Sequence, residues 1–150
     1  MNIAHGRGQA GSNLDELGGP KRKRIAMIGQ LIKDHDPDFV VLNEADFYST
    51  WSGHQNQAEA IAELAGFPYR MEQRNLDFRF LYGSFAFGNA LLSKTPIEQA
   101  TYIEYPGVEG REWEKQVCGK KGGSTAMVRI GEQKVQLLSL IHISEPTRPY

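Results

Sequence analysis

One short segment constrains this chain more than any other. After a stretch with helical periodicity that stops at Asp36-Pro37, Phe39-Val40-Val41-Leu42 runs apolar without interruption and then meets Asn43-Glu44-Ala45-Asp46. The residue before a proline is biased away from the helical region, so the helix has to end there. A short apolar run with no polar alternation is the pattern of a strand covered on both faces. A helix that feeds directly into a doubly covered strand requires a fold of helices layered on a sheet. Glu44 then stands just past the strand's end, where a carboxylate must turn to solvent, find a partner or hold a cation. From the residues alone all three remain open.

The rest of the chain fits the same layering. Ile25, Ile28, Leu31 and Ile32 recur at helical spacing and predict a helix over 22–34. Ala58, Ile61, Ala62 and Ala65, closed by Gly66, predict a second over 56–65. Strands are expected at 39–42, 69–73, 89–92, 99–104, 124–130 and 134–137, separated by Gly and Pro. The predicted fold class is α/β, with two helices packed on a mostly antiparallel sheet that contains Phe39 to Leu42 and Asn89 to Leu92. No internal repeat or low-complexity tract appears.

Composition excludes little but sharpens the question. With 17 basic and 18 acidic residues among 150, the chain has no overall field to gather nucleic acid, so any such role rests on a local site. The single cysteine, Cys118, cannot form an intrachain disulfide. No apolar run is long enough to span a bilayer, and no secretion signal is visible. Gly6-Arg7-Gly8-Gln9-Ala10-Gly11 has the spacing of a dinucleotide-binding loop, but that loop needs a strand before it and a helix opening from it. Here the helix waits until after Pro20, so the match is read as chance. Lys21-Arg22-Lys23-Arg24 is read as a solvated helix face.

Several segments in order resemble the endonuclease/exonuclease/phosphatase superfamily, the DNase I-like enzymes. They are Asn2-Ile3-Ala4-His5-Gly6, Arg24-Ile25-Ala26, Asp36-Pro37-Asp38 leading into Leu42-Asn43-Glu44-Ala45-Asp46, and Gly88-Asn89-Ala90-Leu91-Leu92-Ser93-Lys94-Thr95-Pro96-Ile97. The resemblance implies a layered α/β sandwich and hydrolysis of a phosphate ester by a metal-activated water. It implies that Glu44 holds Mg2+ or Mn2+, with Asn2 beside the metal and the scissile phosphate. Asn43 stands where the family commonly has glutamine. His5, in the loop on the same side, and Asn89, on its strand, are candidates for contacting substrate. The substrate would be a phosphate ester, and nucleic acid, a phospholipid head group and a sugar phosphate all stay open. Asn2 and Glu44 are expected at the same edge of the sheet, with their side chains within about 6 Å of one another, near enough to share one ion.

Both ends are expected to be foreign or cut. Leu138 to Arg148 resembles a translated sequencing adaptor, so 138–150 is read as a non-native tail and 1–137 as a partial domain. His142 falls in that tail and is given no catalytic role. The family's later histidine, its Asp-x-Asn and its closing Asp-His pair would lie beyond Leu137, and the 150-residue chain is therefore expected to be inactive. A second reading is a non-catalytic binding module that keeps the fold. An Asp-x-Asn and an Asp-His downstream in the gene would favour the enzyme, and their absence the module.

Overall fold

The computed structural model describes residues 1–9, 11–104 and 122–140, the side chains of 104 and 140 excepted; His142 and Cys118 lie outside the described residues. The elements follow the order α1 (Gly19–His35), β1 (Phe39–Asp46), α2 (Gln57–Ala65), β2 (Tyr69–Phe80), β3 (Gly83–Ser93), β4 (Ile97–Glu104), β5 (Gly122–Ile130) and β6 (Gln133–Leu140), with 3-10 turns at Ala4–Gly6 and Thr50–Ser52. The strands make two antiparallel three-stranded sheets, ordered β1-β3-β2 and β4-β5-β6. This is a sheet-rich α/β fold with two helices, as the alternation of patterns predicts.

The boundaries differ from the expected ones for identifiable reasons. Helix α1 opens at Gly19 with Pro20 in its first turn, where proline's missing N–H costs nothing. It closes on Asp36 in the left-handed conformation (φ 47°), ahead of Pro37. Ile25 and Ile32 are buried and Ile28 packs beside them, whereas Leu31, placed on the same stripe from sequence, is half exposed at its edge. Helix α2 is capped by Asn56, whose Oδ1 accepts from Glu59 N–H at 3.1 Å, and ends on Gly66 at φ 78°. Both helices bury their stripes with Val40 and Leu42 of β1 and Ala86, Ala90 and Leu92 of β3 in one core.

Three readings need correction. Strand β1 continues to Asp46, so Glu44 lies within it and not past its end. The β2–β3 hairpin is far longer than expected, running to Phe80 and resuming at Gly83, because its two-residue turn, Leu81-Tyr82, carries none of the usual turn residues. The basic run is a solvated face only in part: Arg22 and Lys23 are exposed, but Lys21 is fully buried with Nζ on Asn13 O at 2.8 Å, and Arg24 pairs with Glu16 and donates to Gly6 O. Lys21 and Arg24 tie α1 to the glycine-rich loop, and Arg22 reaches Gly53 O beside the Thr50–Ser52 turn. Burial lowers the pKa of Lys21, and the nearby Asp46 opposes that shift. Strand β6 extends through Leu138 to Leu140, pairing Leu138 with Thr125 and Ser139 with Ser124. No helix among the described residues is long and apolar enough to cross a membrane.

Candidate functional site

The site is made by an irregularity in β1. From Leu42 to Ala45 the chain advances three positions while its partner β3 advances two, from Ala90 to Gly88, leaving one extra residue as a bulge opposite Asn89. Glu44 sits in this bulge at φ 56°, a left-handed conformation that a glutamate adopts only when its surroundings impose it. Gly88, paired with Ala45, also lets β2 come close on its other side: a Cβ there would stand 1.9 Å from Gln73 O, so no other residue fits. Alongside, the first residues pair with β1 in parallel, Ile3 N–H donating to Asn43 O at 3.0 Å and Asn43 N–H to Met1 O at 2.9 Å.

That pairing places Asn2 over Glu44. Asn2 Nδ2 donates to Glu44 Oε1 at 2.8 Å, and Asn2 Oδ1 accepts from Ala4 N–H at 2.8 Å, so the amide's orientation is held from both ends. The separation is well inside the expected 6 Å. His5 joins them, with its Nε2 4.0 Å from Glu44 Oε2. Asn89 does not: it is buried on β3 with no hydrogen bond to Asn2, His5 or Glu44, and its Nδ2 has no partner among the described residues.

Three residues of the site were not singled out from sequence. Asp46, fully buried, has Oδ1 2.8 Å from His5 Nδ1 and accepts Trp51 Nε1–H on Oδ2 at 2.8 Å. Gln57, the first residue of α2, accepts Asp46 N–H on Oε1 at 3.0 Å and donates Nε2–H to His5 O at 2.9 Å. Asp46 lies two residues beyond Glu44, but the bulge breaks the strand's alternation there, so spacing alone does not give it a role. Trp51 and Gln57 carry no sequence signal either, because their partners are distant in the chain or set by the loop.

A hard divalent cation fits this donor set. Glu44 has a side chain 40% exposed, and its Oε2 accepts no hydrogen bond among the described residues. Mg2+ is commonly held by one or two carboxylates while waters and substrate phosphate complete its shell.

Residues 2–145 match the family described as the Endonuclease/Exonuclease/phosphatase family. The chain belongs to that family. Members of the endonuclease/exonuclease/phosphatase family hydrolyse phosphate esters. The fold is similar to that of an endonuclease/exonuclease/phosphatase family protein from Leptotrichia buccalis C-1013-b, with a TM-score of 0.62 and 10% identity over 96% of this chain and 55% of that one. A solved structure of SmcL matches at a TM-score of 0.48 and 16% identity, over 77% of this chain and 40% of that one. The chain thus spans about half the length, or less, of these proteins. Among curated proteins, none matches it.

Proposed function

We propose that this protein hydrolyses a phosphate ester in a reaction dependent on Mg2+ or Mn2+, with Glu44 as the carboxylate that holds the cation and Asn2 as the amide beside it. The observation that supports this reading best is the Asn2–Glu44 contact of 2.8 Å at a bulge that strains Glu44 and leaves its carboxylate accessible. Strain of this kind persists where the surroundings over-determine it, as they do at sites of chemistry.

When bound, the cation would supply charge stabilisation to the phosphoryl oxygens and lower the pKa of the attacking water. The chain's own residues do the rest by position. Asn2 fixes one oxygen of Glu44 and leaves Oε2 free to face the ligand. Being neutral, its amide meets phosphate without adding repulsion. His5 presents its ring to the same side, where it contacts substrate, and Asn89 backs the bulge from β3. The class of phosphate ester, whether nucleic acid, phospholipid head group or sugar phosphate, is set by loops that surround such a site.

The same reading extends to the two sheets, which we take as the layers of a DNase I-like sandwich. In support, Ser139 Oγ of β6 reaches Asn43 Oδ1 of β1 at 3.4 Å, and a cleft of about 410 Å³ is lined by Gln73 and Arg74 of β2 with Tyr102 and Ser124 of the second sheet. We also take 138–150 as a non-native tail, since strand pairing at Leu138 to Leu140 needs only an apolar segment in reach. Sequencing the parent gene past codon 137 tests the tail directly. Metal dependence is tested by titrating Mn2+ into the wild-type chain and into Glu44→Gln: loss of binding in the variant is expected, and unchanged binding would overturn the assignment of Glu44.

A further inference from the structure

The His5 imidazole is fixed more completely than a loop histidine that merely brushes substrate requires. Its side chain is 12% exposed, and its ring stands edge-on to Phe87 and Trp51 with centroids 5.1 and 5.9 Å away. Gln57 holds its carbonyl, and its backbone is strained at φ 56°. Asp46 uses one oxygen on His5 and the other on Trp51. An indole N–H only donates and an ionised carboxylate only accepts, which assigns the bridging proton to His5 Nδ1. The other nitrogen, Nε2, is directed at Glu44 Oε2, 4.0 Å away.

A histidine whose Nδ1–H is given to a carboxylate, with Nε2 presented beside a second carboxylate, is how imidazoles are oriented as metal ligands. Donors 4.0 Å apart can both reach one ion, since metal–donor bonds of ~2.1 Å on each side span about 4.2 Å. We infer that His5 Nε2 is a second protein ligand, beside Glu44, for the divalent cation, with Asp46 and Trp51 as its positioning residues. An imidazole ligand favours first-row transition-metal ions over Mg2+, which prefers oxygen, with Mn2+ the weakest of them. This rests on the proposed metal-dependent reading and assigns the ligand set within it.

The test is electron spin-echo spectroscopy of Mn2+ bound to the 150-residue chain, with Mg2+ competition to compare affinities. Bound Mn2+ is expected to show nitrogen modulation from a coordinated imidazole. His5→Asn, a residue that tolerates the left-handed backbone, should abolish the modulation and weaken Mn2+ binding about 10-fold or more, with Mg2+ binding changed less than about two-fold. Asp46→Asn should weaken Mn2+ binding about 10- to 100-fold with Glu44 still in place. The wild-type spectrum stands whether or not either variant folds. Mn2+ bound without nitrogen modulation overturns this inference and leaves the role of Glu44 intact, as does modulation that persists in His5→Asn, where His35, His54 and His142 remain as sources. A wild-type chain that binds neither ion overturns the proposed function and this inference together.

Discussion

Glu44 shows at a single residue how site and stability oppose each other here. A non-glycine residue held left-handed costs about 1–2 kcal/mol, and Glu44 is held so at φ 56°. Glu44→Gly relieves that strain and removes a half-exposed carboxylate with the bond it accepts from Asn2, so on balance it should raise the unfolding free energy by about 0.5–1 kcal/mol while abolishing Mn2+ binding. Denaturant unfolding and Mn2+ titration of the same variant check both halves. A variant less stable than wild type would mean that the contact with Asn2 outweighs the strain. The residues alone left Glu44 open between solvent, a partner and a cation, and only the ordered motifs of the family resemblance pointed to it and to Asn2. Asp46 lies two residues from Glu44 yet drew no role, since its meaning comes from His5, 41 positions away, and Trp51. Asn89 was picked from its strand motif, but the pleat turns it inward to a buried position where its amide nitrogen has no described partner.

At the scale of elements, α2 locks the site together through its first turn. Gln57 bonds the backbone of both β1 and the N-terminal loop, so Gln57→Leu strands Asp46 N–H and His5 C=O without partners in a buried place. A loss of about 1–3 kcal/mol is expected, measured by denaturant unfolding. Two positions on, Glu59 accepts the Tyr48 hydroxyl at 2.8 Å and Arg70 Nη2 at 3.1 Å. The Tyr48 bond first, and Arg70 next, hold its pKa below the usual 4.5. Because the folded value is depressed, the contribution is present above 4.5 and fades as pH falls through the folded value. Glu59→Gln should therefore be less stable than wild type at neutral pH and indistinguishable from it in acid, a comparison that thermal unfolding across pH can make. The helices themselves were readable, since both have an apolar stripe and a clean stop. The hairpin was not, although Asp77-Phe78-Arg79-Phe80 alternates as a strand should: its ladder is broken by a second bulge between Arg74 and Leu76, and its turn lacks glycine or asparagine.

For the whole molecule, the site gathers the N-terminal loop, the β1 bulge, the turn at Thr50–Ser52, α2 and β3; the motifs along the chain pointed to the loop, β1 and β3, and not to the turn or α2. It is nonetheless a small set of groups for the chemistry proposed. Among the described residues, one accessible carboxylate, one amide and one oriented imidazole can bind a cation and a phosphate, but in-line attack on phosphorus also needs a group to orient the water and another to meet the leaving oxygen. Members of such a set act as a unit, so losing some of them costs several orders of magnitude and not a proportionate share. The 150-residue chain, which spans 55% of its Leptotrichia relative, is accordingly expected to bind Mn2+ yet turn over no phosphate ester above background. Extended to that relative's length, it should hydrolyse phosphate esters with Mg2+ or Mn2+, lose activity in EDTA, and lose about 100-fold or more in turnover on Glu44→Gln with its unfolding transition unchanged. Hydrolysis that survives EDTA, or an active Glu44→Gln enzyme, would show that the chemistry does not run through the β1 bulge.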